Sequence, residues 1–317
     1  MGCMQASIKR LDTVPVPDDS SPAKVVKMGN VVELVTMERL PVGGCCIKLN
    51  KEEYLDLRTG EVKNFEHNTT RADDLVSVQT TLSNIRALVN TNVTDAACVR
   101  WVTLTYADNM TDTERLCSDY QSFWQRFSRW CKRHGFSVPE YISVIEPQGR
   151  GAWHVHAFFI WPDQAPFVPN DTLAKLWRQG FVAVKALHDC DNIGAYFSAY
   201  LTDMPLDELS KLPDDLRKTV ATHCGQVSKD FVDDDGNTKT KSFVKGARLY
   251  LYPAGMNIVR HSRKIKLPVV ERMLYGKAKK IVSAATETFS RAYEVRDADG
   301  GYINTITKAY YNKLRKK

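Results

Sequence analysis

Residues 153–161 read Trp-His-Val-His-Ala-Phe-Phe-Ile-Trp. Side chains alternate across a β-strand, so His154 and His156 leave one face of a sheet and Val155 the other. The rest of the stretch is apolar, which puts the strand in a core, where two same-face histidines are costly to bury without a partner. Glu146 stands eight residues before His154, at the end of a second strand pattern, Tyr141–Glu146. Between the two strands, Pro147-Gln148-Gly149-Arg150-Gly151 reads as a hairpin connection. If it sets Glu146 opposite His154, one carboxylate joins two imidazoles on one face. That donor set suits a divalent ion and leaves positions for water and a phosphate oxygen, as a catalytic site requires. Alternating histidines alone are commonly ordinary polar residues of a half-buried sheet; the apolar strand and the carboxylate turn the reading here.

Working outward, Val99–Tyr106 is rich in β-branched and aromatic residues and reads as a strand. Leu116, Tyr120, Phe123, Phe127 and Trp130 recur at helical spacing, and Gly135 supplies the stop. Asp171 is placed to cap a helix running through Trp177 and closed by Gly180, and Phe181–Leu187 reads as a fourth strand. Asp191 or Asn192 caps a final helix through about Leu201. Strand, helix, strand, strand, helix, strand predicts an α+β fold, a ferredoxin-like (split βαβ) antiparallel sheet with helices on one face.

Around this core, which takes residues 98–203, the chain divides by composition. Residues 1–30 carry Pro15, Pro17 and Pro22 and read as a flexible N-terminal segment. An N-terminal extension, 31–97, holds a strand pattern at Val31–Met37, a turn at Thr59-Gly60 and a helix around Asp74–Val89. An acidic linker, 204–236, leads to a basic C-terminal region, 237–317, whose part from 268 onward looks partly helical.

No apolar run approaches a membrane span and the N-terminus has no secretory core, so a cytoplasmic protein without membrane contact is expected. Eight scattered cysteines with no Cys-x-x-Cys pair read as free thiols rather than a zinc site. The net charge of +7 is uneven: Asn237–Val270 has no acidic residue. Lys245, Arg248, Arg260, Arg263, Lys264 and Lys266 in that tract, near Phe243, Tyr250 and Tyr252, are candidate nucleic-acid contacts. A solvated basic surface would look the same. The chain lacks a phosphate-binding Gly-x-x-x-x-Gly-Lys-Ser/Thr loop, which excludes a built-in ATP-driven helicase.

Tyr196 and Tyr200 are four residues apart, one turn of one helix face. A phenol is a weak nucleophile at its ordinary pKa near ~10. A metal that polarises a phosphate ester makes its attack feasible. Without the histidines, two core tyrosines would be the simpler account.

His154-Val155-His156-Ala157-Phe158-Phe159 resembles the His-hydrophobic-His signature of HUH endonucleases, and in particular the rolling-circle replication initiators of plasmids, integrative elements and single-stranded DNA phages. Trp101-Val102-Thr103-Leu104-Thr105-Tyr106 is similar to the first motif of that family, and Asn192–Asp203 stands where its tyrosine helix should. The resemblance covers about residues 99–203. It implies a divalent ion, Mn²⁺ or Mg²⁺, bound by His154 and His156 with Glu146 as the further acidic ligand. It also implies that Tyr196 or Tyr200, or both, attacks DNA. The implied partners are single-stranded or unpaired origin DNA, with a host helicase and a DNA polymerase. One departure stands out: family helices often carry a lysine three or four residues after the tyrosine, whereas Ala199 and Asp203 follow here by three. Lys185 or Lys245 could take that place. Conjugative relaxases and transposases share the chemistry. A histidine-triad hydrolase would need histidine at Phe158 and fails. A non-catalytic RNA-binding sheet using Trp101, Trp153 and Trp161 is the alternative of another class.

Overall fold

The computed structural model describes residues 7–40, 46–57, 59–65, 70, 72, 75–187, 191–232, 238–253, 255–297 and 299–315, with the backbone alone at 75–76, 196, 199–200, 229–232 and 238–239. The chain forms two compact units, one of residues 68–267 and one of residues 1–67 with 268–317.

In the unit of residues 68–267 the elements run α1 (Leu75–Asn92), β1 (Val99–Thr105), α2 (Thr113–Arg133), β2 (Glu140–Pro147), β3 (Trp153–Ile160), α3 (Asn170–Trp177), β4 (Val182–Ala186) and α4 (Ile193–Tyr200). They continue as β5 (Met204–Pro205), α5 (Leu206–Leu209), α6 (Asp214–His223), β6 (Gln226–Val232), β7 (Thr238–Val244) and β8 (Val259–His261). The main sheet has the order β4-β1-β3-β2-β8, every neighbouring pair antiparallel. The histidine strand β3 is therefore central, with β1 and β2 on either side.

Helix α2 forms because Asp112 accepts from the backbone N–H groups of Glu114 and Arg115 and because Leu116, Tyr120, Phe123, Phe127 and Cys131 bury one stripe. Phe127 stacks on Phe159 of β3 at 5.0 Å between centroids, and Trp177 of α3 meets Phe123 edge-on at 5.8 Å. These two helices thus share the face to which Phe159 points. The opposite face is also covered. Phe197 of α4 lies 4.8 Å from Phe158, and α1 packs against α4. Helices on one face describes only the strand–helix repeat; α1 and α4 cover the second face because the apolar Phe158 row there has to be buried as well.

Some local details differ from the sequence expectation. Pro169, not Asp171, holds the cap position of α3, and Asp171 lies in the first turn, where its carboxylate faces the positive end of the helix. The helix ends at Arg178 in the left-handed conformation, φ 67°. Gly180 serves a close approach instead: a Cβ there would come within 2.5 Å of the Thr105 carbonyl oxygen.

The acidic stretch 204–236 is structured where described, not a linker. β5, β7 and β6 form a three-stranded antiparallel sheet, and Met204, Leu212, Val220, Val244 and Ala247 make a small core with α6. The charges hid it, because Asp214 and Asp215 stand in the exposed first turn of α6 while Val220 faces inward.

The other unit holds a six-stranded antiparallel sheet in the order Ser7–Arg10, Thr286–Arg296, Tyr302–Asn312, Val31–Met37, Pro22–Met28, Val269–Leu274, and a separate three-stranded one of Cys46–Lys48, Glu53–Asp56 and Glu61–Asn64. The helix Tyr275–Val282 packs Ala278 and Val282 against Ala23, Val25, Val32 and Leu34. The expected flexible segment 1–30 thus supplies two strands, and the region after 268 is partly helical as expected, at Tyr275–Val282, and otherwise mostly strand. Pro22–Met28 pairs with the adjacent Val31–Met37 on one side and with Val269–Leu274 on the other, as in Val25 opposite Glu271, so part of what fixes this strand lies more than 200 residues away.

The aromatic stack between α2 and β3 packs one face of the histidine strand. Phe123→Ala, at a fully buried site, is expected to cost about 3–5 kcal/mol in urea unfolding.

Candidate metal centre and tyrosine helix

Strand register builds the centre. Glu146 of β2 is the direct partner of His154 on β3, and Val144 that of His156. On the other side, Thr103 of β1 faces His156 and Thr105 faces His154. The hairpin thus brings the carboxylate beside the two imidazoles, and one ligand atom from each of Glu146, His154 and His156 lies within 4.8 Å of the others. Glu146 Oε2 contacts His156 Nε2 directly. His156 Nδ1 lies 3.1 Å from the Thr103 hydroxyl. Without a metal, Nε2–H is the donor to Glu146; the tautomer with its proton on Nδ1, donated to Thr103, would free the Nε2 lone pair for a cation, the usual outer support of a metal-binding histidine.

Two buried atoms of this group lack a hydrogen-bond partner among the described residues, His154 Nε2 and Glu146 Oε1. A buried acceptor left so costs about 1–3 kcal/mol. Both are lone-pair donors in one cluster, so the residues fit a divalent cation. Burial pushes the His154 imidazolium down to about 4, with His156, Arg248 and Arg150 adding to the fall against the pull of Glu146. His154 is therefore neutral near pH 7, the form that ligates. Burial would raise the Glu146 carboxyl, but His156, Arg248 and His154 outweigh it and hold it below the ordinary carboxylate range.

Arg248 is the countercharge. It is 4% exposed, and its Nε lies 2.9 Å from Glu146 Oε1. Nε donates to the Asp203 carbonyl at 3.0 Å and a terminal nitrogen donates to the Pro147 carbonyl at 2.6 Å. Because Nε–H points at Asp203, Glu146 Oε1 receives charge from Arg248 without a directed hydrogen bond. The guanidinium also pairs with Glu208 at 3.4 Å, and Glu208 in turn accepts from the Gly149 N–H of the hairpin at 3.1 Å. Arg248 is thus no surface contact for DNA, as its place in a basic run led one to expect. The run gave no sign that one cation turns inward.

The other basic candidates are distributed. Lys245, Arg263, Lys264 and Lys266 are exposed, and Lys264 lies 4.0 Å from Glu140. Arg260, on the edge strand β8, is half-buried and donates to Cys117 Sγ at 2.6 Å. Lys185 is exposed on β4. Trp153 and Trp161 are buried and Trp101 packs edge-on against Phe197 at 5.4 Å, so these rings do not form the open stacking platform that RNA binding by the sheet would need.

Tyr196 and Tyr200 lie on α4, and their side chains fall outside the described residues. The helix itself is on the histidine face: Phe197 stands 6.3 Å from the His156 ring, edge to face. It is pinned from the far side by α1. Asn90 Oδ1 accepts from the Gly194 N–H at 2.8 Å while Asn90 Nδ2 donates to Asn192 Oδ1 at 2.9 Å. Arg86 donates to the Ser198 hydroxyl at 3.2 Å. The expected capping of α4 by Asp191 or Asn192 is thus performed by Asn90, and Asn192 makes no side-chain bond to the helix backbone. Gly194 permits this approach, since a Cβ there would be 2.6 Å from the Arg86 carbonyl oxygen. Thr103 and Asn90 escaped the sequence reading because their roles depend on pairing across strands and helices.

Residues 99–205 match the family model described as Replication-associated protein ORF2/G2P. The resemblance read from three motifs over about 99–203 is borne out for that segment. It begins at β1, ends on β5, and so includes Glu146, His154, His156 and all of α4. The family description ties this segment to DNA replication. No curated protein and no solved structure matches the chain. Among the described residues, no helix is long and apolar enough to cross a membrane.

Two outcomes follow from the electrostatics. Removing Arg248 strands a buried carboxylate, so Arg248→Ala should destabilise the fold by about 3–5 kcal/mol in chemical denaturation. His154 has a folded pKa near 4 against an ordinary 6.5. Its contribution to stability is therefore complete above pH 6.5 and declines as pH falls toward 4, where the unfolded chain binds the proton and the folded one does not. Unfolding of the metal-free protein between those pH values should show that loss, and His154→Gln should flatten it.

Proposed function

We propose that this protein is a rolling-circle replication initiator, a metal-dependent endonuclease that nicks and rejoins single-stranded origin DNA through a tyrosine. The observation that carries the reading is the Glu146, His154, His156 cluster on the central strand pair, faced by the tyrosine-bearing helix α4, inside the segment that matches the replication-associated family. The sheet order supports a ferredoxin-like HUH core: the two strands that begin and end the repeat, β1 and β4, are neighbours, and the hairpin strand β3 lies between β1 and β2.

On this reading His154, His156 and Glu146 hold Mn²⁺ or Mg²⁺, which when bound polarises the scissile phosphate and offsets charge on its oxygens. Tyr196 or Tyr200 supplies the nucleophile. Its phenolic oxygen forms a bond to phosphorus, the phosphorus–O3′ bond breaks, and the departing oxygen takes a proton to become a free 3′-OH. The phosphotyrosyl ester keeps the bond energy, so the released 3′-OH can reverse the step without ATP. Thr103 keeps the His156 ring in orientation, and Arg248 keeps Glu146 ionised and in place. Lys245, Arg260, Arg263, Lys264 and Lys266 contact the DNA backbone. The setting is the cytoplasm, with a host helicase to open the duplex and a host polymerase to extend the 3′-OH.

The test is incubation with candidate origin oligonucleotides and Mn²⁺, followed by denaturing electrophoresis. A slower, denaturation-resistant protein–DNA band is expected, lost in EDTA, reduced at least about 100-fold in His154→Ala, and absent in the Tyr196→Phe, Tyr200→Phe double variant. Persistence of the band in that double variant would remove the tyrosines from the mechanism.

A further inference from the structure

The six-stranded sheet of the other unit has two faces of different character. One carries Ala23, Val25, Val32 and Leu34 beneath the helix Tyr275–Val282. On the other, strand register lines up charge. Arg291 is the cross-strand partner of Lys308, Lys308 of Val35, Val35 of Lys24, and Lys24 of Arg272. Ala23 and Val25 on either side of Lys24, and Met273 beside Arg272, turn toward the helix, so alternation puts this row on the face away from it. Four cations thus stand in one row across five strands, a line of roughly 19 Å at the ~4.8 Å spacing of paired strands.

Like charges directly opposite one another destabilise a sheet. This row sets them so twice, at Arg291 with Lys308 and at Lys24 with Arg272. Few counterions answer them. Lys308 pairs with Glu33 at 2.5 Å, and Glu33 is the one carboxylate on this row and the rows to either side. Arg10 adds a further cation on the next row, opposite Tyr293. Lys24, Arg272 and Arg291 have no ion-pair partner among the described residues, and the buried Nε of Arg291 has no hydrogen-bond partner there. The flanking rows carry rings. Phe289 is 40% exposed, with the Arg291 guanidinium 4.6 Å from its centre, and Tyr293 is half-buried.

We propose that this sheet face binds single-stranded DNA, its phosphates along the row from Arg291 to Arg272 and its bases against Phe289 and Tyr293. The unbalanced charge selects a polyanion, and the straight row selects an extended one. The rings select a single strand, since a base stacks on an aromatic side chain only where its own face is free, and in a duplex it is not. An acidic polypeptide would meet the cations and leave the rings unused. The face lies wholly outside the matched segment 99–205, so it gives the second unit a task of its own: holding a strand without regard to sequence. The choice of DNA over RNA rests on the reading of the protein as a replication initiator.

The experiment measures binding of a mixed-sequence, fluorescein-labelled single-stranded oligonucleotide by anisotropy, in EDTA so that nothing is cut, over a series of salt concentrations. Arg272→Gln and Arg291→Gln should each weaken binding and reduce the slope of log affinity against log salt by about 0.7, the value for one phosphate contact on a single strand. Phe289→Ala should weaken binding at least about five-fold and leave the slope unchanged, as loss of stacking does. Lys277→Gln with Lys280→Gln, two exposed cations of the helix on the opposite face, should alter neither. Arg272 is exposed, so its variant carries the test if Arg291→Gln lowers the melting temperature. An unchanged slope in Arg272→Gln and in the double variant would overturn the proposal. Full affinity in Phe289→Ala, with a duplex of the same sequence competing as well as the single strand, would also overturn it. So would polyglutamate that displaces the oligonucleotide from the wild-type protein at equal charge, which would assign the face to an acidic protein. The nuclease reading fails separately: wild-type protein that forms no covalent adduct, yet shows these changes, keeps the face and loses the chemistry. An adduct with unchanged slopes does the reverse.

Discussion

The carboxylate of Glu146 is 2% exposed, and a charge so placed loses several kcal/mol of hydration that the fold has to offset. Much of this unit's architecture around β2 can be read as the means of doing so. Arg248 is buried beside it, His156 touches it, and the strand register that puts it opposite His154 leaves no room for a slip. A shift of one residue would turn both histidines and the glutamate toward the aromatic layer of α2. The centre and the sheet are therefore specified together.

Arg248 extends that constraint beyond the sheet. One guanidinium holds the end of β2 through Pro147, the exit of α4 through Asp203, and α5 through Glu208. The segments that carry the candidate metal ligands and α4 are thus joined at a single buried cation. A lysine could not serve in the same way, since it lacks the planar array of donors that reaches several acceptors at once.

Much of the fold and of the centre was legible in the sequence, for a physical reason. Trp153–Ile160 and Val99–Thr105 have strand periodicity, and α2 has its stripe, so local pattern and tertiary structure agree. Glu146 could be placed because a short hairpin leaves few registers. What escaped was what depends on distant partners. The strands at Ser7–Arg10 and Pro22–Met28 pair with the C-terminal part of the chain, Asn90 caps a helix on the far side of the core repeat, and Arg248 looked like its exposed neighbours. Lys185 and Lys245 were the sequence candidates for the family lysine, while the cation that bonds to α4, Arg86, belongs to α1, a helix the motifs do not include.

The contact of Asn90 with Gly194 joins residues 104 positions apart, and it lies across the border of the matched segment 99–205. The shared motifs therefore mark less than the working unit. A tyrosine helix whose first turn is held by a side chain from α1 borrows its rigidity from a part of the chain with no family signature. Proteins that match the same family segment could therefore differ in how firmly that helix is seated against the sheet.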